Sequence, residues 1–305
     1  MIICADFCGQ LGNHLLTFNN LIQLTELLKV KFVFRSFYID RLFDIRLKNY
    51  PDYNNINSKL TINSRNLVRI FGDKPNLSRE MLIRISRMSN IHIKQPFLGE
   101  LFFRYNVVNP NKFIKLKPVY SLENRMRDDV INIGIHIRDM GAWNKRHEGV
   151  SDLKPSYYIN AIKHCLRNRE ELYDEASNKT KLLFILIGAT SNKQSSLGEK
   201  CDVSNYPPYI ETEKYLTEND VVYEYGITTQ HPNRSYIYDW SQLSQCDVII
   251  SSAGTFALSA GIFGKENKKI IHSKEWVEYA ANKYDTFWKD LYDGGNKHYK
   301  LWKLI

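Results

Sequence analysis

Apolar and polar residues follow one another along the chain in blocks that predict strands and helices in turn. Short β-rich runs at residues 1–7 and 30–35 flank a segment in which apolar residues recur every three or four positions, namely Leu15, Phe18, Leu21, Ile22 and Leu28. That spacing predicts a helix with one buried face. The whole segment is therefore expected to form a β-loop-α-β unit.

The predicted loop of this unit, residues 8–13, reads CGQLGN. Its two glycines permit a tight turn and allow a ligand to approach the backbone at the start of a helix.

A second series of alternating elements begins at residue 130. It comprises a strand at 130–138, a helix near 157–168, a strand at 181–187, a helix near 239–245 and a strand at 247–252. Strands that alternate with helices predict a parallel sheet with helices on both faces. Ligands of such sheets bind beyond the carboxyl ends of the strands, where we expect Asp6, His136–Arg138, Gly188 and Ser251–Thr255.

The length of 305 residues is about twice that of a usual single domain, which predicts two α/β lobes. The content of 43% hydrophobic and 13% aromatic residues provides material for a core throughout the chain. We expect the boundary near residues 117–124, which gives a first lobe at 1–122 and a second at 123–305.

Membrane insertion and disulfide scaffolds are not indicated by the composition. No window approaches eighteen consecutive apolar residues, and the first residues include an early acid and no basic run. The five cysteines are scattered without a CxxC pair. These features predict a cytoplasmic protein in a reducing compartment.

The positive charge is concentrated in the first lobe. Residues 1–120 contain 18 Lys and Arg against 8 Asp and Glu, whereas residues 121–305 contain 24 against 25. This excess is suited to peripheral contact with an anionic partner, such as a phosphorylated substrate or a membrane surface. The alternative is a solvated helix face that keeps the protein soluble.

Two strand ends carry the residue types that bind anions. His136 and Arg138 stand two apart on one strand, so their side chains point the same way, and arginine can bind a phosphate through two hydrogen bonds. An arginine at this place can also cap the sheet or pair with a surface acid. The run Ser251–Phe256 offers hydroxyls, a glycine and backbone N–H groups at a helix start, although Ser252 or Thr255 can equally serve as an ordinary N-cap.

Five segments together resemble α1,2-fucosyltransferases and their relatives. Residues 6–14 resemble the N-terminal GGLGNQ element, Ile135–Arg138 the HxR of the HxRRGDY motif, and 153–162 the helix that follows it. Residues 236–256 are similar to the family's D-x-x-x-x-S-x-C segment with its later phenylalanine, and 96–103 to its Q-x-x-x-Y-F element. The segments occur in the family's order over nearly the full chain, which makes the resemblance more specific than any one motif.

The resemblance implies a GT-B glycosyltransferase with two Rossmann-like lobes and a central cleft. It implies a nucleotide-sugar donor and a glycan acceptor as partners, no nucleic acid, and no metal or other cofactor. The sequence also has no DxD pair of the kind that holds a divalent ion against a diphosphate. The residue roles that it implies are Gly12 and Asn13 beside the donor, His136 and Arg138 on the diphosphate, and Ser252, Thr255 and Phe256 on the phosphates and sugar.

The donor stays open because the sequence departs from the family around the nucleotide. Asp139, Met140 and Gly141 replace the rest of the HxRRGD motif, and Gly188 follows the strand at which the family has an acid. GDP-fucose is the donor that the family implies. UDP-xylose, used in the manner of glycosyltransferases from large algal viruses, competes with it, and a viral or bacterial origin is expected.

The expected reaction is an inverting transfer in which a carboxylate deprotonates the acceptor hydroxyl. Asp73, in the predicted turn at 72–75, and Asp6, at a strand end, are the candidate bases, and Arg138 is expected to stabilise the leaving diphosphate. The alternative is a non-catalytic protein that binds carbohydrate or polyanions. A dinucleotide oxidoreductase and a P-loop enzyme are disfavoured, because neither GxGxxG nor GxxxxGK[ST] occurs.

Overall fold

The computed structural model of the chain describes residues 2–4, 11–28, 31–46, 60–63, 91–94, 109–122, 126–138, 153–172, 179–189, 206–230, 236–265, 268–284 and 300–305. The chain divides into two compact units, Met1–Pro118 with Ala281–His298, and Val119–Ala280 with Tyr299–Ile305. The limits that the sequence gives for two lobes, 1–122 and 123–305, stay a prediction.

The first unit contains a four-stranded parallel sheet in the order β2-β1-β5-β4. A further pair of strands, β3 and β6, is antiparallel. The elements are β1 (Ile2–Cys4), α1 (Leu11–Leu28), β2 (Phe32–Phe34), α2 (Phe37–Leu42), β3 (Phe43–Ile45), β4 (Leu60–Asn63), β5 (Ile91–Lys94) and β6 (Ile114–Leu116).

The predicted β-α-β unit is present, with β1 parallel to β2 and α1 between them in sequence. The predicted apolar positions Leu15, Phe18, Leu21 and Ile22 are all buried in α1. The ring of Phe18 meets that of Phe34 edge to face at a centroid distance of 4.7 Å, so β2 and α1 pack directly together.

The second unit contains a six-stranded sheet in which all pairings are parallel. Its strands are β7 (Val130–Arg138), β8 (Lys181–Ala189), β9 (Tyr223–Tyr225), β10 (Val248–Ile250), β11 (Lys269–His272) and β12 (Lys300–Leu304). Its helices are α3 (Pro155–Arg167), α4 (Pro207–Glu218), α5 (Ile227–Gln230), α6 (Ile237–Gln245) and α7 (Phe256–Ile262). The last helix, α8 (Lys274–Tyr284), begins in this unit, and its residues from Ala281 onward are assigned to the first.

The spatial order of these strands is β12-β11-β10-β7-β8-β9. Counted from β7, this is 6-5-4-1-2-3, the strand order of dinucleotide-binding α/β folds. The direction of winding reverses between β7 and β10, where Ile135 pairs with Ile250. Crevices that bind ligands form at the carboxyl ends of strands at such a switch point.

The centre of this sheet is covered on both faces. Every residue of β7 from Val130 to Ile137 is buried, as expected of a central parallel strand. A Cβ on Gly134 would lie 2.8 Å from Cδ2 of Leu243, so glycine is required for α6 to approach β7 this closely.

None of the helices in the described ranges combines the length and apolar composition needed to cross a bilayer.

Candidate anion-binding site

A buried histidine and serine join the two strands of the switch point in the second unit. Nδ1 of His136, near the end of β7, lies 2.6 Å from Oγ of Ser252, two residues after β10. The two residues are 1% and 3% exposed. The pair therefore couples the carboxyl end of β7 to the loop that leads into α7.

The other ring nitrogen of His136, Nε2, is buried and has no hydrogen-bond partner among the described residues. An unpaired buried polar atom costs about 1–3 kcal/mol, so it marks a place where a ligand atom would be stabilising. Burial, and secondly the charge of Arg138, lowers the pKa of His136 to about 3. The imidazole is therefore neutral at physiological pH, with one nitrogen that donates and one that accepts.

The last residue of β7, Arg138, is half-exposed and lies against the backbone of Gly254. A Cβ on Gly254 would be 3.3 Å from Nη1 of Arg138. Gly254 also has a backbone φ of 103°, which residues with a side chain rarely adopt. Glycine thus allows both the turn and the close approach of the guanidinium.

Phe256, the first residue of α7, packs on the histidine. The rings of His136 and Phe256 are stacked, with centroids 5.2 Å apart and an interplanar angle of 27°. Tyr236 meets the same phenyl ring edge to face at 6.2 Å. Phe256 therefore covers one face of the histidine, and Tyr236 packs against Phe256.

The side-chain hydroxyls of Ser252 and Thr255 do not act as ordinary N-caps of α7. Thr255 occupies the N-cap position of α7, but its side chain makes no capping hydrogen bond. The hydroxyl of Ser252 contacts Nδ1 of His136 at 2.6 Å and the carbonyl of Ala253 at 3.4 Å.

Sequence reasoning missed the part that Tyr157 plays. Its hydroxyl donates to the carbonyl of Ser251 at 2.8 Å and lies 3.3 Å from that of Ile271. This tyrosine of α3 thereby fixes the ends of β10 and β11 directly before Ser252. The only signal in the sequence was its place in the helix that resembles the family.

Polar residues of α6 anchor α5 beside the end of β8. Oδ1 of Asp239 accepts from the backbone N–H of Thr228 at 3.2 Å, and Oδ2 accepts from the Thr228 hydroxyl. Burial raises the pKa of Asp239 to about 7. Thr229, the next residue, accepts a hydrogen bond from the backbone N–H of Gly188 at 3.2 Å. Asp239, the acid of the D-x-x-x-x-S-x-C segment, therefore has a structural role: it fixes the start of α5.

The remaining predicted site residues belong to the first unit. Gly12 is buried and Asn13 half-buried in the first turn of α1. The two candidate bases, Asp6 and Asp73, lie outside the described residues.

Within the described ranges, no group of three or more His, Cys, Asp or Glu side chains is arranged to hold a metal ion. The predicted independence of metal is not tested by this and stays a prediction.

Comparison with known proteins gives structural similarity only. No protein-family model and no curated protein matches the sequence. The structure of POFUT1 in complex with GDP-fucose matches over 89% of this chain and 96% of its own, with a TM-score of 0.51 and 8% identity.

Two other structures are less similar. A mutant of Arabidopsis thaliana FUT1 in complex with GDP matches with a TM-score of 0.47 and 13% identity over 86% of this chain and 68% of its own. The α-1,6-fucosyltransferase NodZ soaked with GDP-fucose matches with a TM-score of 0.44 and 12% identity over 90% of this chain and 94% of its own. The match to POFUT1 carries the conclusion, which concerns the fold: this chain is an α/β protein with a GT-B fold.

Proposed function

We propose that the chain is a glycosyltransferase that moves a sugar from a nucleotide-sugar donor to a hydroxyl of a glycan acceptor. The observation that carries the proposal is the unpaired Nε2 of buried His136 beside Arg138 at the switch point of the second sheet. Parallel α/β sheets bind nucleotides at this place. The structural likeness to a protein bound to GDP-fucose supports the same choice.

The donor diphosphate is expected to bind between the ends of β7 and β10. The Ser252 hydroxyl would donate to Nδ1 of His136, which leaves Nε2–H to donate to a phosphate oxygen. Arg138 would add a charge-assisted, bidentate contact. Gly254 and Thr255 would supply the backbone N–H and hydroxyl groups of an anion cradle, and Phe256 would face the sugar.

For the donor itself, GDP-fucose is the first choice, since the resemblance implies it and POFUT1 was solved with GDP-fucose bound. UDP-xylose or another UDP-sugar is the competitor, because Gly188 stands where the fucosyltransferase-like family has an acid. Binding of uridine diphosphate and of guanosine diphosphate, measured at equal concentration, will distinguish the two donor classes.

The proposed chemistry is a single displacement with inversion and without metal. Arg138 would neutralise the charge that develops on the leaving diphosphate, and Gly12 and Asn13 would lie beside the donor. Asp73 or Asp6 would take the proton of the acceptor hydroxyl. Asp73→Asn and Asp6→Asn are matched variants: the one that loses turnover while it keeps its affinity for nucleotide identifies the base.

Release of nucleoside diphosphate tests the proposal against a non-catalytic binder, which the basic charge of residues 1–120 would also suit. The chain is incubated in EDTA with GDP-fucose or UDP-xylose and a mixture of glycans, and free nucleotide and labelled glycan are measured. A transferase forms both products in equal amounts, whereas a binder retains glycan and releases no nucleotide. Release that requires a divalent ion would exclude the metal-independent mechanism.

A further inference from the structure

The first unit contains a cavity of about 440 Å³ that the proposed donor site does not use. Its described lining consists of Arg35, Phe37, Asp40 and Arg41, all from the turn that joins β2 to α2 and from α2 itself. The cavity thus lies after the carboxyl end of a parallel strand, the edge at which α/β sheets bind ligands. Its volume is in the range of small-molecule sites.

Hydrogen bonds hold the wall of this cavity in place. Nδ1 of His14, in α1, lies 2.7 Å from Oγ of Ser36, the N-cap residue of α2. The same Oγ accepts from the backbone N–H of Ile39 at 3.2 Å, and the N–H of Ser36 donates to Oδ2 of Asp40 at 3.0 Å. The start of α2 is therefore fixed before any ligand binds, which lowers the entropic cost of binding.

One side chain of the lining is apolar and unusually exposed. Phe37 is 66% exposed, and Cζ of Arg41 lies over its ring at 5.8 Å from the centroid. Arg41 therefore covers part of the phenyl ring, and the rest of its apolar surface is open to a ligand.

The charge around the cavity is positive. Arg35 and Arg41 are both exposed. The exposed carboxylate of Asp40 accepts a hydrogen bond from the Ser36 N–H. Its pKa is raised, because desolvation outweighs that hydrogen bond and the charges of Arg35 and Lys117. The cavity therefore offers two guanidinium groups, each of which can bind an anion through two hydrogen bonds.

We propose that this cavity binds a saccharide that carries an acidic group, a carboxylate, sulfate or phosphate. A sugar ring has an apolar C–H face that can pack on Phe37, and the acidic group would bind Arg35 and Arg41. A neutral glycan would bring no counter-charge to Arg35 and Arg41, and a bare anionic surface would bring no apolar group to Phe37. This inference rests on the proposed glycosyltransferase function.

Binding of the purified chain to immobilised glycans in neutral and acidic matched pairs tests the inference, for example cellobiose against cellobiouronic acid. Acidic members should bind at least about tenfold more tightly, as expected for charge-assisted bidentate contacts. Phe37→Ala and Arg35→Gln should each remove most of that binding. Arg46→Gln is the matched control, because Arg46 is exposed in the same unit but does not line the cavity.

Three outcomes would overturn the inference. Equal binding of neutral and acidic members, or no binding of either, would exclude an acidic saccharide. Binding that survives Phe37→Ala, together with equal binding to vesicles of anionic lipid, would show recognition of charge alone. Nucleotide binding measured on the same preparations separates the two proposals: if nucleotides bind and acidic glycans do not, only this inference fails.

Discussion

Nδ1 of His136 and Oγ of Ser252 lie 2.6 Å apart, although 116 positions separate them in the sequence. The contact joins the two strands at which the winding of the second sheet reverses. Because both groups are buried, the bond fixes the orientation of the imidazole. The unpaired Nε2 is thereby held ready for a ligand atom.

Loss of this bond should weaken nucleotide binding and folding together. Ser252→Ala leaves a second nitrogen of the buried imidazole unpaired, which should lower the free energy of unfolding by about 1–3 kcal/mol. Urea denaturation measures this loss, and calorimetry measures the affinity for nucleoside diphosphate. Ser251→Ala is the matched control, because the Ser251 hydroxyl bonds to the Ser252 carbonyl and not to His136. Equal nucleotide affinity in the two variants would contradict the role of Ser252.

Replacement of Arg138 should reduce turnover with little effect on stability. Arg138→Ala is expected to lose at least about two orders of magnitude in kcat, about 3 kcal/mol of transition-state stabilisation. Arg138→Lys should recover little, because an ammonium cannot make the planar bidentate contact. Arg127→Ala, which removes an exposed arginine paired with Asp129, is the control. Normal turnover in Arg138→Ala would refute the assigned role.

Tyr157 should act on the site through the backbone before Ser252. Tyr157→Phe removes the hydrogen bonds to the carbonyls of Ser251 and Ile271 and should cost about 1 kcal/mol of stability. We expect KM for the donor to rise while kcat falls less, because the loop that we propose to bind the phosphates loses its support. Tyr238→Phe removes a hydroxyl that donates to the Val119 carbonyl and should leave KM unchanged. A uniform loss of active protein with unchanged KM would indicate a merely structural role.

Lys268 should make stability depend on pH. It is buried, its ammonium donates to the Leu243 carbonyl at 2.9 Å, and burial lowers its pKa from 10.5 to about 7. Between these values the unfolded chain holds a proton that the folded chain releases, so the contribution of Lys268 to stability rises with pH. Below about pH 7 folding carries the full cost of burying the charge.

Lys268→Met removes this dependence. The free energy of unfolding of the variant minus that of the wild type should be largest at pH 6 to 7 and fall towards pH 9.5, as measured by urea denaturation. Lys214→Met is the control, because Lys214 is exposed on α4 and paired with Glu218, away from Lys268. A difference that stays constant over this range would show that Lys268 does not change its charge on folding.

Local patterns predicted the elements that carry the site but not the contacts between them. The burial of Leu15 and Phe18 in α1 and the continuous burial of β7 follow from periodicity and apolar runs, which act within one segment. The bond of His136 to Ser252 and that of Tyr157 to Ser251 depend on the strand order of the folded sheet, which no local pattern contains.

Short or less apolar elements were also missed for a physical reason. β9 has three residues at the edge of the sheet, and its exposed Tyr225 gives no hydrophobic signal. The positive φ of Gly254 is a property of the turn, and the sequence shows only that glycine is present there. The roles of Asp6 and Asp73 stay predictions that the Asp→Asn variants will test.

Calorimetric titration in EDTA with GDP, UDP and their sugar conjugates tests the central claim most directly. We predict that at least one of them binds the wild-type chain without metal and that His136→Ala and Arg138→Ala each weaken binding about tenfold or more, while Arg127→Ala does not. The melting temperature should rise in parallel with ligand concentration. Absence of binding by every nucleotide, or unchanged affinity in both site variants, would contradict a donor site at the ends of β7 and β10.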